Sequence, residues 1–111
     1  MKSIYRLKKN YQYNYVYKHA LSVADKNFIL LYCASNSKVS KVGFSVSKKY
    51  GKAVRRNRIR RQLKAAVAAL MPHAKDGFNA VLIPRRHDAY SFDEVSASVA
   101  KLFEKANLMK V

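Results

Sequence analysis

Several things are scarce in this chain of 111 residues. It has one cysteine, no tryptophan, three glycines, two prolines and only six acidic residues. A lone Cys33 builds neither a disulfide framework nor a cysteine zinc site. It lies in the apolar run Phe28-Ile29-Leu30-Leu31-Tyr32-Cys33, where a buried structural thiol is expected. No Gly-rich phosphate loop is present. The acids are scattered, and only Asp93 and Glu94 are adjacent. A two-metal nuclease needs clustered carboxylates, so no catalytic residue and no protein metal site are expected. His19, His73 and His87 lack acidic neighbours and follow no metal-ligand spacing. No stretch approaches 18 apolar residues, and no signal-type apolar segment follows the basic start. A cytoplasmic protein with no membrane partner is the expectation.

Half of the residues are hydrophobic, which separates the chain from disordered basic tails. One domain spanning 1–111 is expected, and a domain of this size buries roughly two-thirds of its unfolded surface. The charge indicates the partner. There are 23 Lys and Arg residues, for a net charge of +17. Residues 1–75 hold 18 of them against one acid, Asp25, while 76–111 hold five of each sign. No acid occurs between Lys26 and Lys75. Solvated surfaces ordinarily mix both signs, so this block points to a polyanion. Nucleic acid comes first and an anionic membrane surface second.

The pattern along the chain predicts α-β-β-β-α-β-α. Residues 1–9 form an extended lead-in. Asn10 caps a helix running to about Lys18, with Tyr13, Val16 and Tyr17 on one face. Residues 20–24 suit a short strand, and Phe28 to Ala34 a buried one. Val42, Phe44 and Val46 alternate with Gly43, Ser45 and Ser47, the mark of a half-buried strand. After Gly51 comes a long helix closed by Pro72. Phe78 to Ile83 is a strand stopped by Pro84. Ser91 and Glu94 form a capping box for a last helix, with Val95, Val99, Leu102, Phe103 and Ala106 on its core face. The architecture is therefore α+β, a two-layer α/β sandwich on a four-stranded mixed sheet.

Nine of the 17 residues from Lys48 to Lys64 are basic. With 100° per residue, Ile59, Leu63, Ala66 and Leu70 fall within about 40° of one line. Asn57, Arg60, Arg61 and Lys64 fall on the far arc, at about 100° to 200°. That arc can meet a phosphate backbone while the apolar stripe holds the helix on the sheet. Arg55 and Arg56 lie nearer the core side, where their stems can snorkel outward. Lys48, Lys49 and Gly51 precede the helix, whose free N–H groups favour phosphate. An ordinary charged face would carry i, i+4 pairs of opposite sign, and this one has no acid to pair. Tyr11, Tyr13, Tyr15 and Tyr17 cluster on the first helix. Tyr13 and Tyr17 suit base stacking and core packing equally well.

The stretch Ser45-Val46-Ser47-Lys48-Lys49, then Gly51-Lys52-Ala53-Val54-Arg55-Arg56-Asn57-Arg58-Ile59-Arg60-Arg61, resembles the signature of the bacterial ribonuclease P protein component. Arg56-Asn57-Arg58 matches that family's Arg-Asn-Arg core. Leu7-Lys8-Lys9 followed by Tyr13, Val16 and Tyr17 resembles its N-terminal helix, so the likeness covers most of the chain.

The resemblance implies a protein subunit of a ribonucleoprotein that removes the 5′ leader of precursor tRNA, with catalysis and Mg2+ carried by the RNA. One protein would bind one catalytic RNA, through Lys48, Lys49, Lys52, Arg55, Arg56, Asn57, Arg58, Arg60, Arg61 and Lys64. A cleft between the first helix and the sheet would hold the leader. Tyr13 and Tyr17 match the family's aromatic positions, usually Phe, and Lys26, Lys41 and Lys48 would add phosphate contacts. Phe28, Leu31 and Phe44 are the strand candidates. Leu31 departs from the aromatic that relatives often carry, and Phe28 and Phe44 suit a core role as well. The family further implies a left-handed β-α-β crossover, against the usual right-handed rule. Two other readings remain on the residues alone: a ribosomal or RNA-chaperone protein, and a DNA-binding module with its basic helix in the major groove.

Overall fold

The structure is a computed structural model and describes residues 2–85 and 89–110. Among these residues there are three α-helices and one four-stranded sheet. The helices are α1 (Asn10–His19), α2 (Ala53–Leu70) and α3 (Phe92–Lys105). The strands are β1 (Leu21–Ala24), β2 (Phe28–Ala34), β3 (Lys41–Phe44) and β4 (Phe78–Pro84). Their order across the sheet is β1-β2-β4-β3. Strand β2 pairs antiparallel with β1 and β4, whereas β3 runs parallel to β4, so the sheet is mixed as expected. The parallel pair is joined by α2, the crossover that parallel neighbours require.

Alternation along the strands assigns each residue a face. Phe28, Leu30, Val42, Phe78, Ala80 and Leu82 point to the main core, which they share with Ile59, Leu63, Ala66 and Val67 of α2. Val95, Val99, Leu102 and Phe103 of α3 complete it. These are the apolar stripes expected of the two helices. On the opposite face a smaller core joins Leu7, Val16 and Val81, with Leu31, Cys33, Ile83, Tyr13 and Ala20 around it. Helix α1 thus covers part of the second face, and β4 is buried on both sides.

Ser91 caps α3 as expected. Its Oγ accepts from Glu94 N at 3.1 Å, and Glu94 Oε1 accepts from Ser91 N at 3.3 Å. Pro72 lies in the 3-10 turn Met71–His73 that ends α2. Asn10 is not the cap of α1; Lys9 holds the N-cap position. Gln12 Oε1, one turn into the helix, accepts from the N–H groups of Lys8 and Lys9 at 3.0 and 3.1 Å. The N–H groups of Gln12 and Tyr13, which an Asn10 cap would serve, donate instead to Lys9 O at 3.0 and 3.3 Å.

Strand β3 is shorter than its alternation suggested and is not half-buried. It ends at Phe44, with Val46 buried beyond it, and Gly43 is covered by the ring of Tyr13. Its outer edge is not free either. The lead-in makes a 3-10 turn at Ser3–Tyr5, then Arg6 bridges to Val42 and Leu7 N donates to Val42 O at 3.2 Å. Exposed strand edges invite mispairing, and this cover removes one.

Asp25, the one acid in the basic two-thirds, is used for structure. Its Oδ1 accepts from Asn27 N at 2.8 Å and Phe28 N at 2.9 Å, closing the β1–β2 turn. Burial pushes its carboxyl up, but those N–H groups, Ser98 and the charge of Lys101 outweigh it and hold the pKa below the usual value. A carboxyl depressed in the fold stabilises above its unfolded pKa, and that contribution disappears as pH falls through the folded one. Asp25→Ala should therefore cost about 1–2 kcal/mol at neutral pH. In urea titrations across pH, the gap between wild type and variant should close in the acid range. A gap that stayed constant there would rule out the ionised carboxylate as its source.

Candidate nucleic-acid interface

Helix α2 begins after a 3-10 turn at Lys48–Tyr50 and Gly51, whose φ of +147° lies where L side chains are strained. A Cβ at Gly51 would also stand 3.2 Å from Arg55 Cδ. Arg55 lies instead with its guanidinium 5.5 Å from the centre of the Tyr50 ring, a cation–π contact. Lys48, Lys49 and Lys52 are exposed around this turn.

The structure divides the basic residues of α2 into three rows. Arg56, Arg60 and Lys64, each one turn apart, are half-buried along the side facing β3. Arg60 donates to Val46 O at 3.5 Å and to Asn57 Oδ1 at 3.4 Å. Asn57 and Arg61 point outward and are exposed. Arg58 is exposed on the other flank, beside Gln62, whose amide donates to Tyr90 O at 2.9 Å. Arg56, Asn57 and Arg58 therefore fan across about 200° of the helix and do not share one face. The Lys64 ammonium has a lowered pKa because of burial first, then the charges of Arg6 and Arg60. Arg6 is thus part of this positive surface. The sequence pattern does not reveal it, because its approach depends on the bridge to β3.

The other surface lies on the α1 side of the sheet. Tyr13 and Tyr17 occupy one flank of α1, their ring centres 6.4 Å apart. Tyr13 OH donates to Leu7 O at 3.4 Å and accepts from Phe44 N at 3.3 Å. Tyr13 is therefore half-buried and ties three segments together, whereas Tyr17 is 46% exposed. Leu31 lies beside them on the α1 face. Register adds Ser22, Ala24 and Ile29 to that face, through the pairs Ser22–Leu31, Ala24–Ile29 and Ile29–Ile83. Ser22 is exposed, and Ala24, Ile29 and Ile83 are half-buried. Together they form an open floor beside the Tyr17 ring. Lys26 and Lys48 are exposed at the same sheet end, where β2 begins and β3 has ended. Lys41, at the start of β3, belongs to the other end.

Two residues expected in this cleft lie elsewhere. Phe28 is 0% exposed, on the α2–α3 face, stacked on Tyr90 with centroids 5.0 Å apart. Phe44 packs against the same main core. Both have the opposite strand parity to Leu31, so the sheet itself stands between them and the cleft. Ile29 and Ile83, not expected there from the sequence, take their place. Their signal was parity with Leu31, which a continuous apolar run does not reveal.

Among the described residues no group of three His, Cys, Asp or Glu side chains converges to hold a metal. His19 stacks on Tyr15, and His87 lies outside the described residues. Burial pushes the Cys33 thiol above its ordinary pKa, which disfavours the reactive thiolate. No described helix is long and apolar enough to cross a membrane.

The fold and its surfaces define a small, strongly basic α+β protein with a cationic helix on one sheet face and the Tyr13–Tyr17 flank of α1 over the other. The profile of the family Ribonuclease P matches residues 1–107. The ribonuclease P protein component of Clostridium kluyveri is 40% identical over 111 residues, covering 96% of this chain and 98% of that protein. That of Natranaerobius thermophilus is 32% identical, covering 99% and 96%. Among solved structures, the RNase P protein of Staphylococcus aureus superposes with a TM-score of 0.86 at 28% identity, over 96% of this chain and 98% of that one. The RNase P protein from Thermotoga maritima gives 0.81 at 25% identity, over 90% and 96%. The chain belongs to the family of bacterial ribonuclease P protein components.

Gly43 is the position on which the cleft wall turns. A Cβ there would fall 2.6 Å from the Tyr13 ring, so Gly43→Ala must displace it. The expected cost is about 1–3 kcal/mol. Tyr13→Phe, which keeps the ring but removes both hydroxyl bonds, should cost about 1 kcal/mol. Chemical denaturation of both variants checks this. If Gly43→Ala were as stable as wild type, the tight Tyr13 packing would be wrong.

Proposed function

We propose that this chain is the protein subunit of a ribonucleoprotein ribonuclease P. It binds the catalytic RNA and the 5′ leader of precursor tRNA, and so assists removal of the leader. The observation that carries this reading is the pairing, on one sheet of a family member, of a cationic helix with a separate aromatic cleft. Arg56, Arg60 and Lys64, with Asn57, Arg61 and the exposed lysines before the helix, would neutralise phosphates of the catalytic RNA. Half-burial holds the first three in fixed positions, so less side-chain entropy is lost on binding. Arg58 would reach a different RNA segment from Arg56.

In the cleft, Tyr17 would stack on an unpaired leader base above Leu31, Ile29 and Ile83. Lys26 and Lys48 would hold the leader phosphates. Tyr13 would act by fixing the wall. This reading assigns any Mg2+ and the cleavage chemistry to the catalytic RNA. One protein per RNA, in the cytoplasm, is the arrangement this reading carries.

The decisive assay is precursor-tRNA cleavage by a cognate catalytic RNA at low Mg2+, with and without this protein. Cleavage should depend on added protein, and equal rates would sink the proposal. Arg56→Ala with Arg60→Ala should weaken catalytic-RNA binding and flatten its salt dependence by about one unit of log–log slope per phosphate left unneutralised. Tyr17→Ala should lower affinity for leader-bearing substrate by roughly 5- to 100-fold, the usual range for removing a stacking ring. Mature tRNA should be bound as before, and equal losses for both ligands would remove the leader cleft.

A further inference from the structure

The flank of α1 turned away from the cleft carries its own aromatic row. Measured from buried Val16, Tyr13 and Tyr17 lie at about 60° and 100°, and Tyr11 and Tyr15 at about 220° and 260°. Tyr11 is 69% exposed and Tyr15 52%. Tyr15 stacks on His19, with centroids 4.3 Å apart. Neither tyrosine belongs to either core.

Beside Tyr11 is a hollow of about 400 Å3, lined in part by Arg6, Lys8, Lys9 and Lys41. None of the described residues lining it is acidic. Gln12 Oε1 accepts from the N–H groups of Lys8 and Lys9, and the side chains of Arg6, Lys8, Lys9 and Lys41 supply the attraction for an anion. The Lys8 ammonium is held by the Ser3 hydroxyl. Four cations around a hollow with an exposed aromatic ring at its wall match one chemistry above others, a nucleotide with its phosphate inside and its base on the ring.

We propose that this hollow and Tyr11 form a further contact for a single-stranded stretch of the RNA that α2 binds, separate from the leader cleft. The proposal rests on the reading of this chain as an RNA-binding subunit. What selects that RNA over the leader is continuity. Arg6 lines the hollow and also lies close enough to Lys64 of α2 to repel its charge. The positive surface therefore runs unbroken from Arg60 and Lys64 through Arg6 to Lys8, Lys9 and Lys41. The cleft lies on the opposite flank of α1, so a leader held by Tyr17 is directed away from it.

The test measures binding of the full-length chain to three ligands: catalytic RNA alone, leader-bearing precursor tRNA, and mature tRNA. Tyr11→Ala with Lys9→Ala changes two exposed residues, and Tyr11→Leu removes the stacking ring while keeping apolar bulk. Circular dichroism establishes that both variants fold. The double variant should bind catalytic RNA roughly 10- to 100-fold more weakly, with its salt slope reduced by about 0.7 because one single-strand phosphate is no longer neutralised. Tyr11→Leu should show a smaller loss with the slope unchanged. Preference for leader-bearing over mature tRNA should stay at the wild-type ratio. Unchanged catalytic-RNA affinity beside a weakened Arg56→Ala, Arg60→Ala control would overturn this proposal and leave the subunit reading intact. An unchanged control as well would overturn both. A loss confined to leader-bearing substrate would overturn it too, by assigning the hollow to the substrate.

Discussion

Like charges must be held together here without opposite charges to relieve them. Residues 1–75 contain 18 basic side chains and one acid, and that acid is spent on a turn. Repulsion of this kind weakens a compact state. The force set against it is burial of the α2 stripe, Ile59, Leu63, Ala66 and Val67, between the sheet and α3. Each fully buried large aliphatic contributes about 1.5–3 kcal/mol. The cost of crowding shows at Lys64, whose ammonium is pressed toward neutrality by burial and by Arg6 and Arg60. A polyanion laid along that row would reverse the sign of the interaction, so affinity and stability draw on the same residues.

The sheet is what makes two separate surfaces possible. Strand β4 is buried on both faces, with Phe78, Ala80 and Leu82 in the main core and Val81 in the smaller one. Helices α2 and α3 take one face, and α1 takes only part of the other. A fuller cover of the second face would leave no cleft. The chain limits that cover with a helix of ten residues pinned by Val16 and braced by the Tyr13 hydroxyl.

What could be read from the sequence was whatever is local or periodic. The α3 capping box sits within four residues, and the α2 stripe repeats at 3.6, so both were legible. The basic segment was legible as charge, but not as three rows of differing burial, since β3 and Tyr90 set those rows from far along the chain. Parity was hidden in Phe28–Cys33 because both faces of β2 carry apolar residues, which is how Phe28 came to be placed in the cleft. Gly43 looked like one member of a polar alternation. Its actual constraint, the Tyr13 ring, lies thirty positions away in sequence, and no local pattern carries it. The lead-in read as extended, but it turns at Ser3–Tyr5, and its pairing with Val42 is a tertiary fact.

The crossover explains why the two surfaces meet at one end of the molecule. Strands β3 and β4 are parallel, so the chain leaving Phe44 must return to the far end before entering Phe78. Helix α2, with 18 residues and a length of about 27 Å, makes that return. Its first turns are therefore fixed at the end where β3 finishes and the cleft opens. The residues follow this geometry: the Lys and Arg side chains of α2 are confined to Arg55–Lys64, and Ala65–Leu70 is wholly apolar. Had the charge been placed in the second half, the cationic rows would stand at the opposite end from Lys26 and Lys48. Position along the helix, as much as the face it presents, sets the cationic rows at the sheet end that carries Lys26 and Lys48.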